Sequence, residues 1–172
     1  MGCLLLIPFL LIRFGLLALL NREALKRAAH FPPLVKAEKV AYWTYQISAL
    51  ALYVYPFFPK VKTVPSALFC TGIMLYIAGT VLTIISLINF AAPCESGVNK
   101  NGLYRVSRNP MYVAYFVFFI GCVLLTQSWI LFGFVLVFQL STHWIILAEE
   151  RWCIETLGED YIRYMNSVRR YI

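Results

Sequence analysis

Polar and apolar residues are segregated along this chain in long blocks. Predominantly apolar runs occupy Leu4–Leu20, Val40–Phe58, Ser66–Phe90, Met111–Thr126 and Trp129–Ala148, with most charged residues between them. A helix needs about 20 residues, at roughly 1.5 Å rise each, to cross the hydrocarbon of a bilayer. The blocks therefore predict five crossings, the fourth the shortest. Backbone amides cannot stay unpaired in lipid, so spanning segments are helices or closed barrels, and these runs lack the two-residue alternation of barrel strands. The expected fold is all-α, a polytopic membrane bundle of about five transmembrane helices forming one structural domain. Residues 1–90 supply three helices; residues 91–172 supply a cytosolic loop, a C-terminal helical hairpin and a cytosolic amphipathic tail.

Punctuation agrees with these limits. Pro56 and Pro59 close the second run, Pro65 opens the third and Pro110 the fourth, where a missing amide proton is harmless. Gln127 and Ser128 alone join the last two runs, which predicts an antiparallel pair, one long bent helix being the alternative. Tyr42, Trp43, Tyr55, Trp129 and Trp152 fall at predicted boundaries, where amphipathic rings anchor at the headgroups. Beyond Ala148 the chain turns polar with apolar residues at helical spacing. That pattern predicts an amphipathic helix or helix pair, broken near Gly158, able to fold back over the loop before the fourth helix.

Composition excludes a soluble domain: 61% of the residues are hydrophobic and 13% charged, against roughly 45–50% and about 25% in soluble proteins. The charge distribution adds an orientation. Arg22, Lys26, Arg27, Lys36, Lys39, Lys100, Arg105, Arg108, Arg151, Arg163, Arg169 and Arg170 share one side of the five-helix arrangement, and only Lys60 and Lys62 the other. This asymmetry predicts an external N-terminus and a cytosolic tail. Because the basic residues are dispersed beside apolar runs, the net charge of +7 points to anionic lipid headgroups rather than nucleic acid. Cys3, Cys70, Cys94, Cys122 and Cys153 show no paired spacing, so no metal site or disulfide framework is expected. The first run lacks a basic start and a cleavage pattern and is read as a retained helix. Leu6 after the Met-Gly-Cys start argues against myristoylation. Arg13, inside that run, is read as snorkelling to the outer interface, with a functional role as the alternative; His30 is read as surface.

If the last two helices return the chain, Arg105, Arg108 and Asn109 come to lie near His143, Glu149 and Glu150. Adjacent carboxylates where a helix leaves the membrane need partners. The plainer alternative is an exposed helix end that interacts with Arg151 or with headgroups.

The run Asn101-Gly102-Leu103-Tyr104-Arg105-Val106-Ser107-Arg108-Asn109-Pro110-Met111-Tyr112, a hydrophobic hairpin, Glu149-Glu150, and Leu157-Gly158-Glu159-Asp160-Tyr161-Ile162-Arg163-Tyr164 resembles the isoprenylcysteine carboxyl methyltransferase and phospholipid methyltransferase family. Residues 1–90 share with it only hydrophobic helices. The resemblance implies S-adenosylmethionine bound at the cytosolic surface. Glu149 and Glu150 would accept from its ribose or ammonium, Tyr104, Arg108 and Tyr112 would hold its carboxylate, and Asn109 and Pro110 would shape the turn around it.

Two departures bear on chemistry. Many family members have His where this chain has Asn109, which hydrogen-bonds but cannot titrate and so suits a cofactor ligand better than a base. Ala114 stands where Gly often follows the turn. Members acting on prenylated cysteine hold the substrate carboxylate with cations near the Glu pair, and His143-Trp144-Ile145-Ile146 contains no Arg. His143, seven residues before Glu150 and on about the same helix face, is either a base for a hydroxyl or thiol or a hydrogen-bonded packing residue.

The expected function is methyl transfer to a lipophilic or prenylated acceptor among membrane lipids, foremost an isoprenylcysteine-like carboxylate, with Arg108, Asn109 and His143 as catalytic candidates. The alternatives are a lipid-like hydroxyl, amine or thiol acceptor, a sterol-reductase-like nicotinamide site, and a catalytically silent relative.

Overall fold

The computed structural model describes residues 1–22, 24, 31–92 and 97–172, with the backbone alone at 36 and 37. The positions of Lys26, Arg27, His30 and Cys94 lie outside the described residues. Each apolar run forms a helix: α1 Gly2–Leu20, α2 Lys36–Val54, α3 Ser66–Ala91, α4 Pro110–Thr126 and α5 Trp129–Leu157, followed by the tail helix α6, Glu159–Ser167. No strand occurs among the described residues.

Local chemistry sets these limits. Glu38 reaches back to accept from the Val35 N–H at 2.8 Å and starts α2, as a carboxylate in the first turn of a helix does. Pro65 precedes α3, and Pro110 is the first residue of α4. Gln127, in the left-handed region at φ 49°, ends α4, and Ser128 Oγ accepts from the Leu131 N–H to open α5. The fifth helix continues past Ala148 to Leu157, so Glu149 and Glu150 lie within it; the expected break falls at Gly158, φ 55°.

Hydrogen bonds sort the connections into two ends. At one end the Gly2 N–H donates to Pro59 O (2.9 Å), the Lys62 N–H to Leu125 O (2.8 Å) and Gln127 Nε2 to Val64 O (2.8 Å). At the other, Asn21 Nδ2 donates to Ala91 O (3.2 Å) and Arg151 to Pro33 O (3.0 Å). Successive helices α1 to α5 therefore alternate in direction.

The tightest interface joins α3 to α4. A Cβ at Gly79 would sit 2.3 Å from Phe118 N, one at Gly121 2.5 Å from Tyr76 N, and one at Gly72 3.0 Å from Leu125 Cγ. The contact numbers descend on one helix as they rise on the other, so the pair is antiparallel. Small residues let membrane helices approach to backbone contact, where dispersion replaces the hydrophobic drive that lipid does not supply. The α4–α5 interface anticipated from the short connection is the smaller one; α5 packs mainly along α2. Phe9 of α1 closes the centre, stacked on Phe118 at 4.8 Å and edge-on to Tyr115 at 5.2 Å.

The outer faces stay apolar, as with Leu11, Ile47, Ile77 and Leu140, which suits a lipid solvent. By length and composition α1, α3 and α5 are long and apolar enough to cross a membrane. The remaining two differ for physical reasons: α4 has 17 residues, and α2 begins with Lys36, Glu38 and Lys39.

Gly79→Val and Gly121→Val should each destabilise the detergent-solubilised protein by about 1–3 kcal/mol, the range for overpacking. Gly133→Ala, whose Cβ meets nothing within 4 Å, should leave the thermal midpoint unchanged or slightly raised; equal losses in all three would show that the α3–α4 crossing is not the sensitive contact.

Candidate functional site

A cavity of about 670 Å³ opens where the loop before α4, the end of α5 and the tail meet; Tyr104, Arg108, Asn109, Tyr112, Glu149 and Glu150 all line it. Its floor is built by the loop. Gly102, at φ 51°, lies so close to Asn89 that an added Cβ would sit 2.1 Å from Asn89 Oδ1. That oxygen accepts from the Leu103 N–H at 3.0 Å. The short 3₁₀ turn Gly102–Arg105 that follows aims Tyr104 and Arg108 at the cavity.

Glu150 is 4% exposed and is neutralised from two sides. Arg108 Nη2 lies 3.0 Å from its Oε1, and Arg170 donates through Nη2 (2.8 Å) and Nε (3.1 Å to both oxygens). Buried carboxylates require such partners, because desolvation costs several kcal/mol per ion. Arg151 is engaged elsewhere, donating to Glu38 of α2, so the Glu pair is not an exposed helix end associated with Arg151. Glu149, one residue earlier, turns about 100° away around the helix and takes one hydrogen bond, from Tyr112 OH at 3.1 Å.

The tail straps this arrangement together. The Arg108 N–H donates to Arg169 O (2.9 Å), Asn109 Nδ2 to Arg170 O (3.1 Å) and Tyr164 OH to Tyr104 O (2.6 Å). Burial pushes the Tyr164 phenol up to about 12, further still from ionisation than an ordinary phenol, which is already a donor at neutral pH. Arg108 Nε is buried without a hydrogen-bond partner among the described residues.

Not every anticipated residue joins the cavity. Pro110 is buried at the start of α4 and orients its neighbours without lining the space. His143 stands off it, its Nδ1 2.8 Å from Tyr171 OH. Arg13 does not snorkel outward. It turns inward, donates from Nη1 to Tyr115 OH, and lies 5.0 Å from the centre of that ring, on the cavity wall. Arg170 is the participant that sequence reasoning missed; its only signal was a basic doublet at the end of an amphipathic tail.

Residues 67–160, more than half of the chain, match the family model for phospholipid methyltransferase. The chain belongs to this family. No curated protein and no solved structure gives a significant match to it. The phospholipid methyltransferase match begins in α3 and ends in α6, so it covers the Arg108 turn and both glutamates but not α1, α2 or Arg170. Members of the family are membrane methyltransferases that generally use S-adenosylmethionine, and the apolar helices agree with an integral membrane protein. No cluster of metal-ligating side chains occurs among the described residues.

Glu150→Ala should cost about 3–5 kcal/mol, since it strands the buried Arg108. Glu38→Ala should cost at most about 1 kcal/mol, because its partner Arg151 is 38% exposed. Thermal unfolding in detergent compares them, and equal losses would show that Glu150 is not the structural keystone of the site.

Proposed function

We propose that this protein transfers the methyl group of S-adenosylmethionine to a lipid-like acceptor at the cytosolic face of a membrane, most readily to an isoprenylcysteine-like carboxylate. In this reading the chain crosses the bilayer five times, α4 and α5 form a transmembrane hairpin, the N-terminus is external and the tail cytosolic, and residues 91–172 carry the cofactor site. The observation that carries it is the meeting of Arg108, from the loop before α4, with Glu150, from the end of α5, beside a carboxylate that has polar capacity to spare.

The residues fit the cofactor. Its ribose hydroxyls and ammonium call for acceptors, its carboxylate for donors. Glu149, with one hydrogen bond from Tyr112, would receive the hydroxyls or ammonium; Arg108, through its unused Nε, and Tyr104 would face the carboxylate. Asn109, whose amide donates to Arg170 O, would hold the tail closed over the ligand. When bound, the cofactor supplies a methyl group on a sulfonium, primed for displacement. The protein's task is then to align the reactants and exclude water. A carboxylate nucleophile is already ionised at neutral pH and needs no base, which agrees with a His143 turned toward Tyr171. The family's description favours a second reading, in which the acceptor is a phospholipid headgroup.

Calorimetry on the detergent-purified full chain should show S-adenosylmethionine binding that Glu149→Gln and Arg108→Ala each weaken about tenfold or more, about 1.4 kcal/mol. Unchanged affinity in Glu149→Gln, or preferential binding of NADPH, would remove this reading.

A further inference from the structure

Arg13 carries a charge that Glu150, paired with Arg108 and Arg170, does not neutralise. It stands on α1, outside the stretch matched by the family model, yet lines the same cavity as Glu149. Its electrostatic neighbours are the phenols of Tyr115, Tyr53, Tyr45 and Tyr112. Among the described residues no carboxylate pairs with it; the ion pairs there use Arg108, Arg151, Arg163 and Arg170. Phenols donate and accept but do not neutralise. A cation kept without a counter-charge inside a membrane helix is expensive, and its guanidinium is a fork suited to an oxyanion.

Its depth is informative. Arg108 and Glu150 meet at the loop before α4, Tyr112 and Glu149 two residues into that helix, and Tyr115 and Arg13 five residues in, about 7–8 Å along the axis. The polar groups descend from the end that collects the loop and tail toward the apolar centre. Arg13 is the last of them.

We infer that Arg13 binds the anionic head of the methyl acceptor, an amphiphilic carboxylic acid, and selects acids over neutral lipids. The inference rests on the methyltransferase reading above and narrows it to a substrate class. α1 thereby supplies the cation that the stretch His143-Trp144-Ile145-Ile146 does not contain. One carboxylate oxygen stays on the guanidinium while the other attacks the methyl carbon. The new O–C bond forms as the S–C bond breaks, its electron pair passes to sulfur, and no proton moves. The acid becomes a neutral ester, so the ion pair that held the substrate does not exist in the product, which the site releases.

The test is ligand binding to the full chain in detergent, using an N-acylated S-isoprenylcysteine acid, its methyl ester and a phosphatidylethanolamine. The wild-type protein should bind the acid at least tenfold more tightly than the ester. Arg13→Gln should abolish that preference while keeping S-adenosylmethionine affinity, and Arg13→Lys should restore part of it. Equal binding of acid and ester by the wild type, or an intact preference in Arg13→Gln, would overturn the inference. Tightest binding of phosphatidylethanolamine, weakened by Arg13→Gln, would also overturn it by assigning the guanidinium to a phosphate. Should Arg13→Gln fail to fold, Arg13→Met takes its place, with loss of the acid preference expected and an intact preference overturning the inference. Loss of S-adenosylmethionine binding in the wild type would instead remove the underlying methyltransferase reading.

Discussion

A negative charge at the end of a membrane helix has to be matched by positive charge brought from elsewhere, and Glu150 imposes that requirement here. Its two partners stand 42 residues before it and 20 after it along the chain. Bringing Arg108 into range fixes the loop before α4; bringing Arg170 into range folds the tail back across that loop. The bridge between Ser107 and Arg169 and the bond from Tyr164 to Tyr104 O then hold what the ion pairs have gathered. The tail is thus a wall of the cavity.

Consecutive placement on α5 gives the two glutamates opposite surroundings. A single step of helical rotation sends Glu150 into a saturated set of cations and Glu149 toward a single phenol. A carboxylate with all its acceptor sites filled serves the fold. One with sites to spare can serve a ligand. The pair therefore sets a fully partnered carboxylate directly beside one with acceptor sites to spare.

Much of this was legible in the chain itself. Five apolar runs became five helices because block length and proline placement record the cost of bare amides in lipid, and Tyr104, Arg108, Asn109, Tyr112, Glu149 and Glu150 converge on one cavity. The rest depended on information that a linear pattern does not hold. A charge within an apolar run announces its own expense but not its direction, and Tyr115, the group that receives Arg13, reads as one more aromatic in a hydrophobic helix. Arg170 looked like a headgroup-binding residue, since tail cations normally are. His143 shares a helix face with Glu150, but only the folded tail shows that Tyr171 meets it. A two-residue connection indicates that α4 and α5 are neighbours in the chain; the area they share is set by Gly79 and Gly121, which draw α4 to α3 instead.

That glycine seam also limits traffic. With main chain touching main chain at Gly79 and Gly121, no acyl or isoprenyl tail can slip sideways between α3 and α4 at those levels. On the proposed reading, a greasy acceptor would reach the chamber through another gap, so the bulk of chain admitted would be decided by helices whose side chains, rather than backbones, stand between them.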